Sequence, residues 1–210
     1  MFYAQQVFEL LKKMDKVIEE NKLYLSELDA AIGDGDHGLN MSKGFKSVIE
    51  KIKDEEIDDL GEILKKAGMA LVSNVGGASG PLYGTAFLKA SNVLKGKNKV
   101  DIILFKEVLK EAISGIQMRG KAELDDKTML DACIPAYEAL DAAIKEEKST
   151  LEALERMKDA AVKGAEHTAR IIARKGRASY VGERSIGHKD AGAVSSMLLL
   201  DCIYEYVKEA

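Results

Sequence analysis

Apolar residues recur every three or four positions along most of this chain, the period of a helix with one buried face. Val7, Leu10, Leu11, Met14, Val17 and Ile18 predict a first helix over about Tyr3 to Glu20, ended by Asn21-Lys22. Ser26-Glu-Leu-Asp29 then resembles a capping box. A second helix starts near Gly38, with Met41, Phe45, Val48 and Ile52 inward. Asp59-x-x-Glu62 caps a third, carrying Leu60, Ile63, Leu64, Ala67 and Leu71. Pro81 suits the first turn of a fourth, with Tyr83, Phe87, Ala90 and Leu94 inward. The fifth covers about Asp101 to Ile116, with Ile102, Phe105, Leu109 and Ala112 inward. A polar connection, Gln117 to Lys127, leads to Thr128-x-x-Asp131, which caps a sixth helix reaching about Glu147. Thr150 caps a seventh reaching about Ala173, and the eighth runs from about Ala191 to Val207. That last helix is apolar nearly all round from Val194 to Leu200, which predicts a central, buried place.

No strand-like alternation of useful length occurs, and no repeat or Pro/Ser-rich linker interrupts the chain. The expectation is an all-α fold, one domain over 1–210, of eight antiparallel helices running up and down. In such a bundle the loops after helices one, three, five and seven share one end. Those loops hold the glycines, the acids, Thr128, Arg177 and Asp190, whereas the turns Lys53 to Asp58 and Glu146 to Ser149 are plain and charged. That one-sidedness is what predicts a site.

Composition narrows the partners. The 210 residues carry a net charge of −4 with dispersed Lys and Arg, which gives no footprint for nucleic acid. No apolar run is long enough to cross a bilayer, and Met1 to Gln6 lacks the layout of a signal peptide. Cys133 and Cys202 lie in apolar helical stretches and read as buried free thiols of a reducing compartment, so a cytoplasmic protein is expected.

Charge and small residues are densest in Gly33-Asp34-Gly35-Asp36-His37-Gly38, with Asp29 just upstream. Crowded carboxylates repel one another unless a cation lies between them. Their oxygens suit hard ions, Mg²⁺ or Ca²⁺. A helix N-terminus follows directly, and such an end suits a phosphate. Three better-known motifs do not fit. Gly33-x-Gly35-x-x-Gly38 lacks the preceding strand of a dinucleotide fold. An EF-hand counted from Asp34 would put Phe45 where its last glutamate belongs. No P-loop sequence occurs. An acidic surface turn without a ligand is the plain alternative. Gly76-Gly77-Ala78-Ser79-Gly80 is a second glycine-rich lead into a helix, either an anion cradle or a simple turn. Metal, two helix ends and the basic loop Arg174 to Asp190 together suit a metal–phosphate complex, in which phosphoryl transfer needs positioning and charge neutralisation but no protein nucleophile. His37 reads equally as a phosphate contact or as the closure of the turn, and His167 reads as structural.

Three stretches carry a family resemblance: Asp29-Ala-Ala-Ile-Gly-Asp-Gly-Asp-His-Gly-Leu-Asn40, Gly76-Gly-Ala-Ser-Gly-Pro-Leu-Tyr-Gly84, and the run from Gly176-Arg-Ala-Ser-Tyr to His188-Lys-Asp190. Together they resemble the nucleotide-binding L subunits of dihydroxyacetone kinase, over essentially the whole chain. The resemblance implies an eight-helix antiparallel barrel with the nucleotide at one end. It implies that Asp29, Asp34 and Asp36 ligate two Mg²⁺ ions. His37, Gly38, Leu39, Asn40, Ala78 and Ser79 would line the phosphates and ribose, and Gly120, Met129, Arg177, Asp190, Ala191 and Gly192 would complete the pocket. Ala191 departs from the proline of many relatives. A free-standing chain resembles the phosphotransferase-dependent type, in which ADP is a prosthetic group recharged by a phosphohistidine protein and dihydroxyacetone sits on a partner subunit. The alternatives within the resemblance are a nucleotide-loaded partner of a transcriptional regulator, or an ATP-dependent kinase domain working with another substrate-binding partner.

Overall fold

Helix α1 begins at Ala4 and continues unbroken to Ile32 in the computed structural model, which describes residues 1–53 and 57–209. The predicted stop at Asn21-Lys22 does not occur. Asn21 turns its side-chain amide back to the Val17 carbonyl at 2.8 Å, and Lys22 pairs with Glu19, so both polar residues stay inside the helix. The apolar stripe also runs on, with Leu25 and Ile32 buried one turn and three turns later. Ser26 and Asp29 therefore lie within α1, not in a capping box.

The remaining helices are α2 (His37–Ile52), α3 (Leu60–Asn74), α4 (Ser79–Leu94), α5 (Ile102–Gly120), α6 (Leu130–Lys145), α7 (Thr150–His167) and α8 (Ala191–Glu209). Two 3-10 segments, Thr168–Arg170 and Arg177–Ser185, fill the basic stretch between α7 and α8. The all-α expectation holds. One ladder was not foreseen: β1 (Phe2–Tyr3) pairs antiparallel with β2 (Lys99–Val100), each only two residues long. Residues 54–56 of the expected turn after α2 lie outside the described residues.

Three helix starts follow the capping chemistry closely, whereas the N-cap of α6 is Met129, without a side-chain cap bond, in place of the expected Thr128. Asp59 accepts from the Gly61 and Glu62 amides, satisfying donors that the first turn leaves open. Asp101 does the same for Leu104. The cap of α7 is Ser149, one residue before the predicted Thr150, and it forms a full capping box with Glu152. Helix α7 stops at His167, short of the predicted Ala173, and the chain tightens into the 3-10 turn.

The chain divides into two compact units. The first holds Met1–Lys16 and Asn40–Lys121. Its helices α3, α4 and α5 pack in sequence order, and α3 meets α4 at two glycines: a Cβ on Gly68 would stand 2.9 Å from the Gly84 carbonyl, and one on Gly84 would stand 2.9 Å from the Gly68 carbonyl. Phe45, fully buried, meets Phe87 edge to face at 6.4 Å. The inner stripe of α5 passes through Leu109, Ile113 and Ile116, an i, i+4, i+7 row, in place of the predicted Ala112.

The second unit holds Val17–Leu39 and the chain from Ala122 onward. Here α7 packs on α6 and α8. Pro135, inside α6, has no amide to offer the Asp131 carbonyl. Gly164 of α7 lies directly against that carbonyl, where any Cβ would collide. As the apolar run predicted, α8 is largely buried, at Ala193, Val194, Leu199 and Leu200, with Ser195 and Ser196 enclosed among them. Cys133 and Cys202 are buried and form no disulfide, and burial pushes the Cys133 thiol up to about 11.

Candidate metal and anion site

The acidic turn joins the last turn of α1 to the start of α2. The Gly33 amide closes on the Asp29 carbonyl, and Gly35 sits at φ +77°, a left-handed conformation that a side chain disfavours. This reversal brings the amides of Asp36 and His37 back to Asp29 Oδ2, at 3.0 and 3.2 Å. Asp29 thus caps α2 from across the turn. Gly38 serves a different need, close approach: a Cβ there would collide with the Lys22 carbonyl and stand 2.9 Å from Ser26 Oγ.

Asp29, Asp34 and Asp36 each present a carboxylate oxygen within 4.8 Å of the other two. Burial pushes the Asp29 carboxyl above its ordinary range; the charges of Asp34 and Asp36 push the same way, against the two amide donors. Arg177, reaching over from the second 3-10 segment, places a guanidinium nitrogen 3.0 Å from Asp34 Oδ2. Mutual repulsion, hard oxygen donors and an attracted cation fit a divalent ion such as Mg²⁺.

His37 is buried, 8% exposed, with Nε2 2.8 Å from Ser195 Oγ on α8. Burial drops its imidazole to about 4, against a smaller opposing pull from Asp36, so the ring is neutral at physiological pH. Asp190 opens α8 by accepting from the Ala193 amide at 2.7 Å. Desolvation raises its carboxyl to about 7; the Ala193 amide and Lys127 lower it, and Asp131 and Asp29 add to the rise. Ala191 is buried, and a Cβ on Gly192 would stand 3.0 Å from Asp190 Oδ2 and 3.6 Å from the Met129 Cβ.

Among the expected site residues, the second unit therefore holds Asp29, Asp34, Asp36, His37, Gly38, Leu39, Met129, Arg177, Asp190, Ala191 and Gly192. The first unit holds Asn40, Ala78, Ser79 and Gly120. There Asn40 lies against the glycine loop before α4, its Oδ1 3.1 Å from where a Gly76 Cβ would be. Ala78 occupies the N-cap position, where it makes no side-chain cap bond, and Ser79 is the first helical residue of α4. Gly120 closes α5 beside Leu82.

Several buried polar residues were not singled out from sequence. Lys127 is 1% exposed and donates to the carbonyls of Ile171 and Ser185. Asp131, also 1% exposed, is more than a helix cap: it accepts from the amides of Thr128 and Asp125 at 2.6 and 2.7 Å. Thr168 accepts from the Asp190 amide at 3.0 Å. His167 ends α7 against Asp125 at 2.9 Å, as a structural histidine would. A lysine in a polar connection reads as solvated, and nothing in its sequence spacing signals its burial.

The DAK2 domain family matches residues 31–205 of the chain. The chain is 41% identical over 204 residues to the PEP-dependent dihydroxyacetone kinase, ADP-binding subunit DhaL, of Escherichia coli, covering 97% of both chains. It is 40% identical to the PTS-dependent dihydroxyacetone kinase, ADP-binding subunit DhaL, of Lactococcus lactis, covering 99% of this chain and 100% of that one. The dihydroxyacetone kinase of C. freundii, solved in complex with AMP-PNP and Mg²⁺, shares the fold at a TM-score of 0.74 and 23% identity, over 97% of this chain and 34% of that longer one. A family match across most of the chain, together with near full-length likeness to these subunits, means that the chain belongs to the DAK2 domain family of dihydroxyacetone kinase ADP-binding subunits.

Proposed function

We propose that the chain is the ADP-binding, phosphoryl-transferring subunit of a dihydroxyacetone kinase. Phosphate comes from a phosphohistidine protein of the phosphotransferase system, is carried by nucleotide that stays bound, and goes to dihydroxyacetone held on a partner subunit in the cytoplasm. The observation that carries this reading is the close triad of Asp29, Asp34 and Asp36 with Arg177 beside it.

Asp29, Asp34 and Asp36 would hold two Mg²⁺ ions, which neutralise phosphate charge as phosphoryl transfer proceeds. The chain's own residues do the positioning. Asp29 keeps one oxygen on the α2 amides, so its carboxylate is held in place before any ligand arrives. Arg177 offers a planar fork of donors of which one faces Asp34, and such a fork suits a phosphate oxygen pair. In the first unit, the start of α4 at Ala78 and Ser79 offers first-turn amides, the partial positive end of a helix, to an anion. No side chain is asked to act as nucleophile. An ATP-exchanging kinase domain is the competing reading, since L-erythrulose 1-kinase of Mycolicibacterium smegmatis is 33% identical over 97% of this chain, which spans 36% of that protein.

The test is reconstitution with phosphoenolpyruvate as donor, the phosphohistidine proteins, and a dihydroxyacetone-binding subunit. Dihydroxyacetone phosphate is expected only when all are present, with no added ATP. Formation that runs on ATP and ignores phosphoenolpyruvate would overturn the phosphotransferase reading.

A further inference from the structure

The basic loop between α7 and α8 has almost no apolar core. Its buried cluster is Ile32, Ala173 and Ala178, with Val181 packed alongside. Its surface is open, with Tyr180 88% exposed and the Arg177 side chain 65% exposed. Its three glycines, Gly176, Gly182 and Gly187, all have positive φ. Such a segment should wander, yet it must present Arg177 to Asp34.

What holds it is polar and lies at its neck. Lys127 Nζ donates to Ile171 O at 3.2 Å on the incoming side and to Ser185 O on the outgoing side, so one ammonium bridges both. Ser185, fully buried, adds to the bridge by accepting from the Ala173 amide at 2.9 Å and donating to Gly182 O at 2.7 Å. The Arg174 amide bonds to Asp126 O at 3.0 Å, and the Gly187 amide to Ala169 O at 2.8 Å. Lys127 itself sits at φ +61°, an unfavourable conformation for a lysine, and Asp125 nearby is at φ +67°. Such strain persists only where the surroundings enforce it. Here it aims the lysine inward, where burial lowers its pKa and the nearby charges of Asp190 and Asp131 oppose that fall.

We infer that Lys127 is a positioning residue: its buried ammonium clamps the two sides of the Ile171–Ser185 loop and thereby fixes where Arg177 meets Asp34 and the anion bound there. The anion part of this inference rests on the function proposed above; the loop part does not.

The experiment has a ligand-free arm and a ligand arm. In hydrogen exchange, Lys127→Met is expected to speed exchange at Ala173 and Gly187 at least tenfold, leaving the mid-α7 amides unchanged. Wild-type rates at both positions, or equal acceleration throughout the unit, would overturn the clamp. In the ligand arm, calorimetry with Mg-ADP is run on Lys127→Met with Arg177 present or replaced by alanine. A loss of about tenfold in affinity with Arg177, and under twofold without it, is expected for a residue acting through Arg177. Equal losses in both backgrounds would overturn that role. If Lys127→Met fails to fold, Lys127→Gln, too short to bridge both carbonyls, carries both arms with the same expectations. If wild-type protein binds no Mg-ADP, the proposed function fails while the exchange arm still decides the clamp.

Discussion

His37 illustrates how one residue can be read two ways until its surroundings are known. Flanked by acids, it looked equally suited to a phosphate or to the turn; in the fold its ring is inside, against Ser195. A histidine buried as the neutral ring gives a clear pH signature. Its pKa falls from 6.5 to about 4 on folding, a difference corresponding to about 3 kcal/mol. The folded pKa is depressed, so this stability is fully present above pH 6.5 and is lost as pH falls toward 4. Unfolding free energies measured across that window should decline steeply in the wild type and more shallowly in His37→Gln. Parallel profiles would show that the ring is not held neutral. Asp190 contributes with the opposite sign. Its folded pKa is raised to about 7, so it favours the fold at low pH and ceases to as pH rises through 7. The metal-ligand candidates were legible as a crowd of acids, but the double duty of Asp29 as ligand candidate and helix cap was not, because it depends on the turn closing back on α1.

Among the elements, starts were read from the chain more accurately than stops. Asp59 and Asp101 cap the helices they were expected to open, because a side-chain acceptor before an apolar stripe acts locally. The end of α1 was placed about three turns too early, because Asn21 and Lys22 look like a break and only the burial of Leu25 and Ile32 shows that the stripe continues. The glycines also divide by purpose in a way the sequence hides. Gly35 is needed for its positive φ, whereas Gly38 is needed because α2 begins against the backbone of α1. Gly38→Ala weighs two effects. A helical alanine gains about 1 kcal/mol in propensity over glycine. Forcing a methyl into a backbone contact costs about 1–3 kcal/mol. The Lys22 carbonyl cannot move away without bending α1, so the second effect should win. Chemical denaturation should show Gly38→Ala less stable, by up to about 2 kcal/mol; equal or greater stability would mean that the two helices are not held this closely.

Across the whole molecule, helical period alone identified an all-α chain, because helices such as α2 and α7 present a polar face to contrast with the apolar stripe. The two-residue strands Phe2–Tyr3 and Lys99–Val100 escaped notice, since a ladder so short leaves no alternation to detect. Among the described residues no helix is long and apolar enough to cross a membrane. The division into units separates the roles as well. The acids, Arg177 and its neck belong to one, and the glycine loop opening α4 belongs to the other. In the function proposed above, the acidic turn holds a metal–nucleotide complex as a standing part of the protein. Native mass spectrometry of purified, desalted protein, beside a denaturing spectrum and the Asp34→Ala variant, tests it most directly. The expected result is a native mass excess matching ADP with Mg²⁺, absent on denaturation and absent from Asp34→Ala. A bare wild-type protein, or a variant that keeps its nucleotide, would contradict it.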